Sequence, residues 1–123
     1  MPPVLVVDDD AAVRRTIARF LTSEGFAVVE AGNGLEALTY LRTGAGASVI
    51  VLDLRMPVMD GWSFRRAQRL DPVLGRIPVV VLSGADADRF PELEAAEAFE
   101  KPVRMSQVAA AVRRLSEISL PKV

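Results

Sequence analysis

Three solid apolar runs, Val4–Val7, Val49–Leu52 and Val79–Leu82, constrain this chain more than any other feature. Each is rich in valine and contains no polar side chain. A strand with one wet face alternates apolar and polar residues. A run without alternation is buried on both faces, as strands of a parallel sheet are. Weaker runs at Phe26–Val29 and Ala98–Phe99 supply two further strand candidates.

Helical patterns lie between the runs. Val13, Ile17, Phe20 and Leu21 recur at helical spacing within 11–24, with Asp10 placed to cap that helix. Leu35, Leu38 and Leu41 form a second stripe, stopped at Thr43-Gly44. A third helix, Trp62 to Leu70, is opened by Asp60-Gly61 and closed by Asp71-Pro72. The last runs from Met105 to Ile118, with Val108, Val112 and Leu115 inward. The segment Asp86–Glu97 fits neither template, and Pro91 within it argues for a helix that starts late or is broken. Five rounds of alternation predict an α/β, doubly wound, five-stranded parallel sheet built from right-handed βαβ units. The strand order expected is 2-1-3-4-5, with ligands bound beyond the carboxyl ends at the switch point between strands 1 and 3. The chain reads as a single domain over 1–123, with its core at about 3–118 and a short frayed tail over 119–123.

Composition narrows the chemistry. The sequence has no cysteine and no histidine, so disulfides, thiolate catalysis, serine–histidine catalysis and histidine-ligated metals are excluded. Carboxylates, hydroxyls, lysine and arginine remain. A net charge of −1 gives no global field for nucleic acid or anionic lipid. Arg65-Arg66 and Arg113-Arg114 read as solvated helix faces. There is no signal-peptide pattern and no membrane-length apolar stretch, so the expected location is cytoplasmic.

The polar residues that end the strands carry the functional signal. Strand 1 runs into Asp8-Asp9-Asp10, strand 3 into Asp53, strand 4 into Ser83-Gly84, and strand 5 into Glu100-Lys101-Pro102. In the expected order all four reach one rim, and Asp8 or Asp9 comes close to Asp53. A carboxylate such as Asp53 can be structural, a metal ligand or a nucleophile. Crowded carboxylates call for a raised pKa or a bound cation. With oxygen ligands only, the cation that fits is Mg²⁺, held by Asp8, Asp9, Asp53 and the backbone carbonyl of Arg55. Lys101 and Ser83 then suit phosphate oxygens, and Asp53 suits attack on phosphorus to form an aspartyl phosphate. Taken singly, each piece has an ordinary reading: Asp10 and Asp60 as caps, Ser83 and Lys101 as strand-end groups. Their conjunction at matching strand ends is the informative observation.

The motifs Val-Leu-Val-Val-Asp8-Asp9-Asp10, Val-Leu-Asp53-Leu-Arg-Met-Pro57-Val-Met-Asp60-Gly61, Val-Val-Val-Leu-Ser83-Gly84 and Phe-Glu-Lys101-Pro102 resemble those of the receiver domains of two-component response regulators. The resemblance covers about 3–118 and implies a flavodoxin-like receiver fold. It implies that Asp8 and Asp9 hold Mg²⁺ and that Asp53 accepts a phosphoryl group from a partner histidine kinase or histidine phosphotransfer protein. Ser83 and Lys101 would bind that group, and the Lys101-Pro102 bond would be cis. The only catalysis implied is self-catalysed phosphotransfer and autodephosphorylation, so the chain is not expected to be an enzyme in its own right. Its output would be a changed interaction with a downstream protein, without direct nucleic-acid or membrane binding.

The chain departs from the pattern in its readout. The stretch from Ser83 to Lys101 is short, which implies a truncated fourth helix. The position of the family's switch aromatic holds Ala98, with Phe99 one place later; either Phe99 serves after a local shift or aromatic switching is missing. Arg104 is a poor cap for the last helix. Two rivals stay open: a pseudo-receiver that never takes phosphate, and a haloacid-dehalogenase-like phosphatase with Asp8 as nucleophile. Also open are a stand-alone receiver, a relay shuttle or a domain of a longer protein, and a homodimer through the last helix.

Overall fold

A computed structural model describes residues 2–119. Of the expected tail over 119–123, only Ser119 lies within the described residues, as the last residue of the final helix. Five parallel strands, β1 (Val4–Val7), β2 (Val28–Ala31), β3 (Val49–Asp53), β4 (Val79–Ser83) and β5 (Glu97–Glu100), are ordered β2-β1-β3-β4-β5. Helices α1 (Ala11–Ser23), α2 (Gly34–Arg42), α3 (Gly61–Leu70) and α4 (Met105–Ser119) connect or follow them. The expected doubly wound sheet is the one observed.

The solid runs are buried on both faces. Leu5, Val7, Ile50, Leu52, Val79 and Val81 pack with Leu38, Leu41 and Phe64 of α2 and α3. Val4, Val6, Val49, Val51, Val80 and Leu82 pack instead with Ile17 and Leu21 of α1 and Val108, Val112 and Leu115 of α4. Neighbouring residues of one strand thus serve different helix layers, which explains the absence of alternation.

The expected caps form. The Asp10 carboxylate accepts from the amides of Ala12 and Val13, and Asp60 accepts from that of Ser63. Arg104 supplies no side-chain cap, but the Gln107 side chain reaches back to its amide.

Several expectations need correction. The second strand starts at Val28, two residues later than the apolar run; Phe26 follows the turn after α1 and packs against the cluster shared by α1 and α4. Leu35 is 45% exposed, and Gly34 and Ala37 complete the buried face of α2 in its place. Arg65 is only 9% exposed. It is buried, donating to the carbonyls of Leu93 and Glu94 and to the Gln68 side chain, each at 2.8 Å.

The ambiguous stretch after β4 becomes a 3₁₀ segment, Ala87–Leu93, with Pro91 inside it. That short segment stands where the family's fourth helix was expected to be cut down. Arg65 fastens its far end to α3.

Candidate functional site

Asp8 follows the last residue of β1, and Val7 is paired with Leu52, the residue before Asp53. Register alone therefore sets the two acids side by side. Carboxylate oxygens of Asp8, Asp9 and Asp53 all lie within 4.8 Å of one another. Asp8 is buried, Asp53 is partly buried and Asp9 is exposed.

The loop after β1 is held in place by backbone contacts. The Asp10 amide donates to Asp8 Oδ1 at 2.9 Å, and Arg14 Nη1 donates to the Asp8 carbonyl at 2.8 Å. Arg14 also pairs with Glu30 of β2 at 3.0 Å, tying this loop to the edge strand. The loop after β3 is fixed from below, where the Gly61 amide donates to the Leu54 carbonyl at 2.7 Å. A Cβ on Gly61 would lie 2.5 Å from the Asp53 carbonyl oxygen, so no larger residue fits without displacing the backbone of Asp53.

Lys101 reaches in from the end of β5. Its Nζ is 3.6 Å from Asp8 Oδ2 and 3.7 Å from Asp53 Oδ1. The preceding pairing of Ser83 with Glu100, with the Lys101 amide donating to the Ser83 carbonyl at 2.8 Å, carries the lysine to this place. The Lys101-Pro102 peptide is cis, as the resemblance implied.

One ammonium faces the carboxylates of Asp8 and Asp53, and both respond. Loss of water contact pushes the Asp53 carboxyl up to about 6, helped by the charge of Asp8 and opposed by Lys101 and the Leu54 amide. Burial also raises the Asp8 carboxyl, against the Asp10 amide and Lys101. The donor set is all oxygen, partly desolvated and over-supplied with negative charge, so it fits a hard divalent cation. Asp8, Asp9 and Asp53 are the residues that could hold one.

Ser83 is at the expected strand end and is buried, but its hydroxyl donates to the Ala85 carbonyl at 2.7 Å. The Arg55 side chain takes its partner from the loop after β4. Its exposed guanidinium is paired with both oxygens of Asp86, at 2.8 and 2.7 Å. At β5, Ala98 packs with the α2 and α3 layer and Phe99 with the α1 and α4 layer, in uninterrupted register with Val81 and Leu82. The sequence marked Gly61 only as a helix opening and did not mark Arg14 or Asp86 as site residues; the parts all three play depend on tertiary neighbours.

The family model of the response regulator receiver domain matches residues 4–113. The chain belongs to this family. The transcriptional regulatory protein PrrA of Mycobacterium tuberculosis is 40% identical over 118 residues, covering 93% of this receiver and 49% of that protein. The two-component response regulator ORR11 of Oryza sativa subsp. japonica is 35% identical over 112 residues, covering 88% of this receiver and 76% of that protein. Among solved structures, the Francisella response regulator 1452 receiver domain superposes with a TM-score of 0.89 at 28% identity, over 98% of this chain and 100% of that one. The receiver spans about half the length of several curated relatives it matches. None of these similarities supports the phosphatase reading. Receiver domains are signalling modules of two-component systems rather than conventional enzymes.

Proposed function

We propose that this receiver takes a phosphoryl group on Asp53 from the phosphohistidine of a kinase or histidine phosphotransfer protein, and that the aspartyl phosphate alters binding to a downstream protein. The observation that carries the reading is the convergence of Asp8, Asp9 and Asp53 with the Lys101 ammonium less than 4 Å from two of them. An Asp53 oxygen attacks phosphorus, the P–N bond breaks, and the electron pair returns to the donor imidazole. Mg²⁺, held by Asp8, Asp9, Asp53 and the Arg55 carbonyl, would neutralise charge on the transferring group. Lys101 offers its ammonium to one phosphoryl oxygen. Ser83 offers its hydroxyl to another, after it leaves the Ala85 carbonyl. The whole chain, 1–123, serves as one receiver in this reading. Among the described residues no helix is long and apolar enough to cross a membrane.

The test is incubation with Mg²⁺ and acetyl phosphate, followed by intact-mass measurement and mapping of the adduct. A phosphoryl adduct absent from Asp53→Asn supports the proposal. An adduct lost only in Asp8→Asn, or none even with a cognate kinase, would refute it; the second result would leave a pseudo-receiver.

A further inference from the structure

The 3₁₀ segment Ala87–Leu93 is fastened at both ends by arginines of the preceding loop–helix unit. At its far end Arg65 holds the carbonyls of Leu93 and Glu94, and Arg69 pairs with the Glu94 carboxylate. At its near end Arg55 holds Asp86 through a two-pronged pair. Between them, Arg89 of the segment lies 4.4 Å above the ring of Trp62 on α3. The two fastenings differ in kind. Arg65 is buried, whereas the Arg55 side chain is 68% exposed and sits in the loop two residues after Asp53. Asp86 occupies the left-handed region, with φ of 69°, and Glu94 does so too at 47°. For residues with a Cβ this conformation persists only while surrounding contacts enforce it.

We infer that Arg55 is a phosphoryl-binding residue kept in reserve by Asp86, and that its transfer from Asp86 to a phosphoryl group on Asp53 releases the 3₁₀ segment. This rests on the reading of Asp53 as the phosphoacceptor. A phosphoryl group brings a charge of about −1.5 to −2 and three strong acceptor oxygens, against the single negative charge of Asp86. A guanidinium engages either partner through the same fork of donors, but not both at once. Ser83 points the same way. Its hydroxyl is bonded to Ala85, the residue before Asp86, so turning it toward a phosphoryl oxygen frees the same loop. Arginine exchange thus couples the site to the surface where Ala98 supplies no aromatic ring.

The exchange is read by hydrogen–deuterium exchange of the Arg89 and Glu94 amides, which donate within the segment to Asp86 and Pro91. Trp62 fluorescence serves as a second signal, with Mg²⁺ alone and with Mg²⁺ plus beryllofluoride as the phosphoryl mimic. In the natural sequence, beryllofluoride should speed exchange of the segment about two- to fivefold, the range an exposed pair supports. Asp86→Asn should exchange at the faster rate without the mimic and respond little to it. Glu92→Gln, which breaks only the Arg89–Glu92 pair within the segment, should respond as the natural sequence does. Unchanged exchange when mass spectrometry or fluorine NMR shows Asp53 occupied would overturn the inference and leave the phosphoacceptor reading intact. So would a full response in Asp86→Asn. Failure to occupy Asp53 at all would overturn the phosphoacceptor reading itself, and the exchange with it.

Discussion

Asp53→Asn should stabilise the metal-free receiver, even though it removes the group that does the chemistry. The folded protein holds this carboxyl at about 6 against an ordinary 3.8. At 1.36 kcal/mol per pH unit, the difference corresponds to about 3 kcal/mol against folding once the acid is ionised. The sign follows from proton binding. Between about pH 4 and 6 the native state keeps a proton that the unfolded chain has released, so stability falls as pH rises through that window, and the full penalty is present above it. Asparagine carries no charge and escapes it. Urea denaturation with a chelator present should show the variant about 3 kcal/mol more stable at pH 7.5, a midpoint shift of about 1.5 M at a slope of about 2 kcal/mol per M. At pH 4 the gap should shrink below about 1 kcal/mol, and saturating Mg²⁺ at pH 7.5 should narrow it by neutralising the native site. A gap of equal size at both pH values would mean that packing, not charge, separates the two proteins. No gap at pH 7.5 would refute the reasoning outright.

Four further measurements bear on the site and its frame. Mg²⁺ at about a hundred times its dissociation constant should stabilise the receiver by about 2.7 kcal/mol in thermal melts, and chelation should reverse this. Gly61→Ala should cost about 2–3 kcal/mol in urea and slow acetyl phosphate uptake, because its Cβ collides with the Asp53 and Leu54 backbone. Arg65→Met should cost about 3 kcal/mol by the same assay, since it strips donors from the Leu93 and Glu94 carbonyls and from Gln68. Lys101→Ala should weaken phosphorylation-dependent binding of the target more than it weakens Mg²⁺ affinity, measured by pull-down and by titration of Trp62 fluorescence. Unchanged target binding in that variant would remove Lys101 from the switch.

What could be read in advance followed the two strongest local signals. Valine runs without alternation specify strands covered on both faces, and the polar residue ending each run marks the rim. Sheet order, the gathering of Asp8 and Asp53, and the caps at Asp10 and Asp60 all follow from those signals. Arg65 was misjudged because adjacent arginines on a helix look alike in sequence. Only the fold reveals that one of them meets two carbonyls from a segment 28 and 29 residues away. Pro91 argued for a helix that starts late or is broken; instead one continuous 3₁₀ segment runs through it and is fastened to α3. Arg55 was expected to lend the site its backbone carbonyl, and nothing in the sequence spoke for its side chain. Its partner Asp86 depends on how the loop after β4 folds, and no spacing rule encodes that.

The sheet's two-sided core has a further consequence for traffic through the domain. Successive residues of β5 belong to opposite layers, Ala98 facing α3 and Phe99 facing α1 and α4. The close-packed strands between the layers act as a bulkhead. The apolar side chains of the segment strapped to α3, Phe90 and Leu93, pack with the α2 and α3 layer, so α1 and α4 stand across the sheet from it. A partner docked against α1 and α4 and another docked on the opposite side would be kept apart by the full thickness of the sheet.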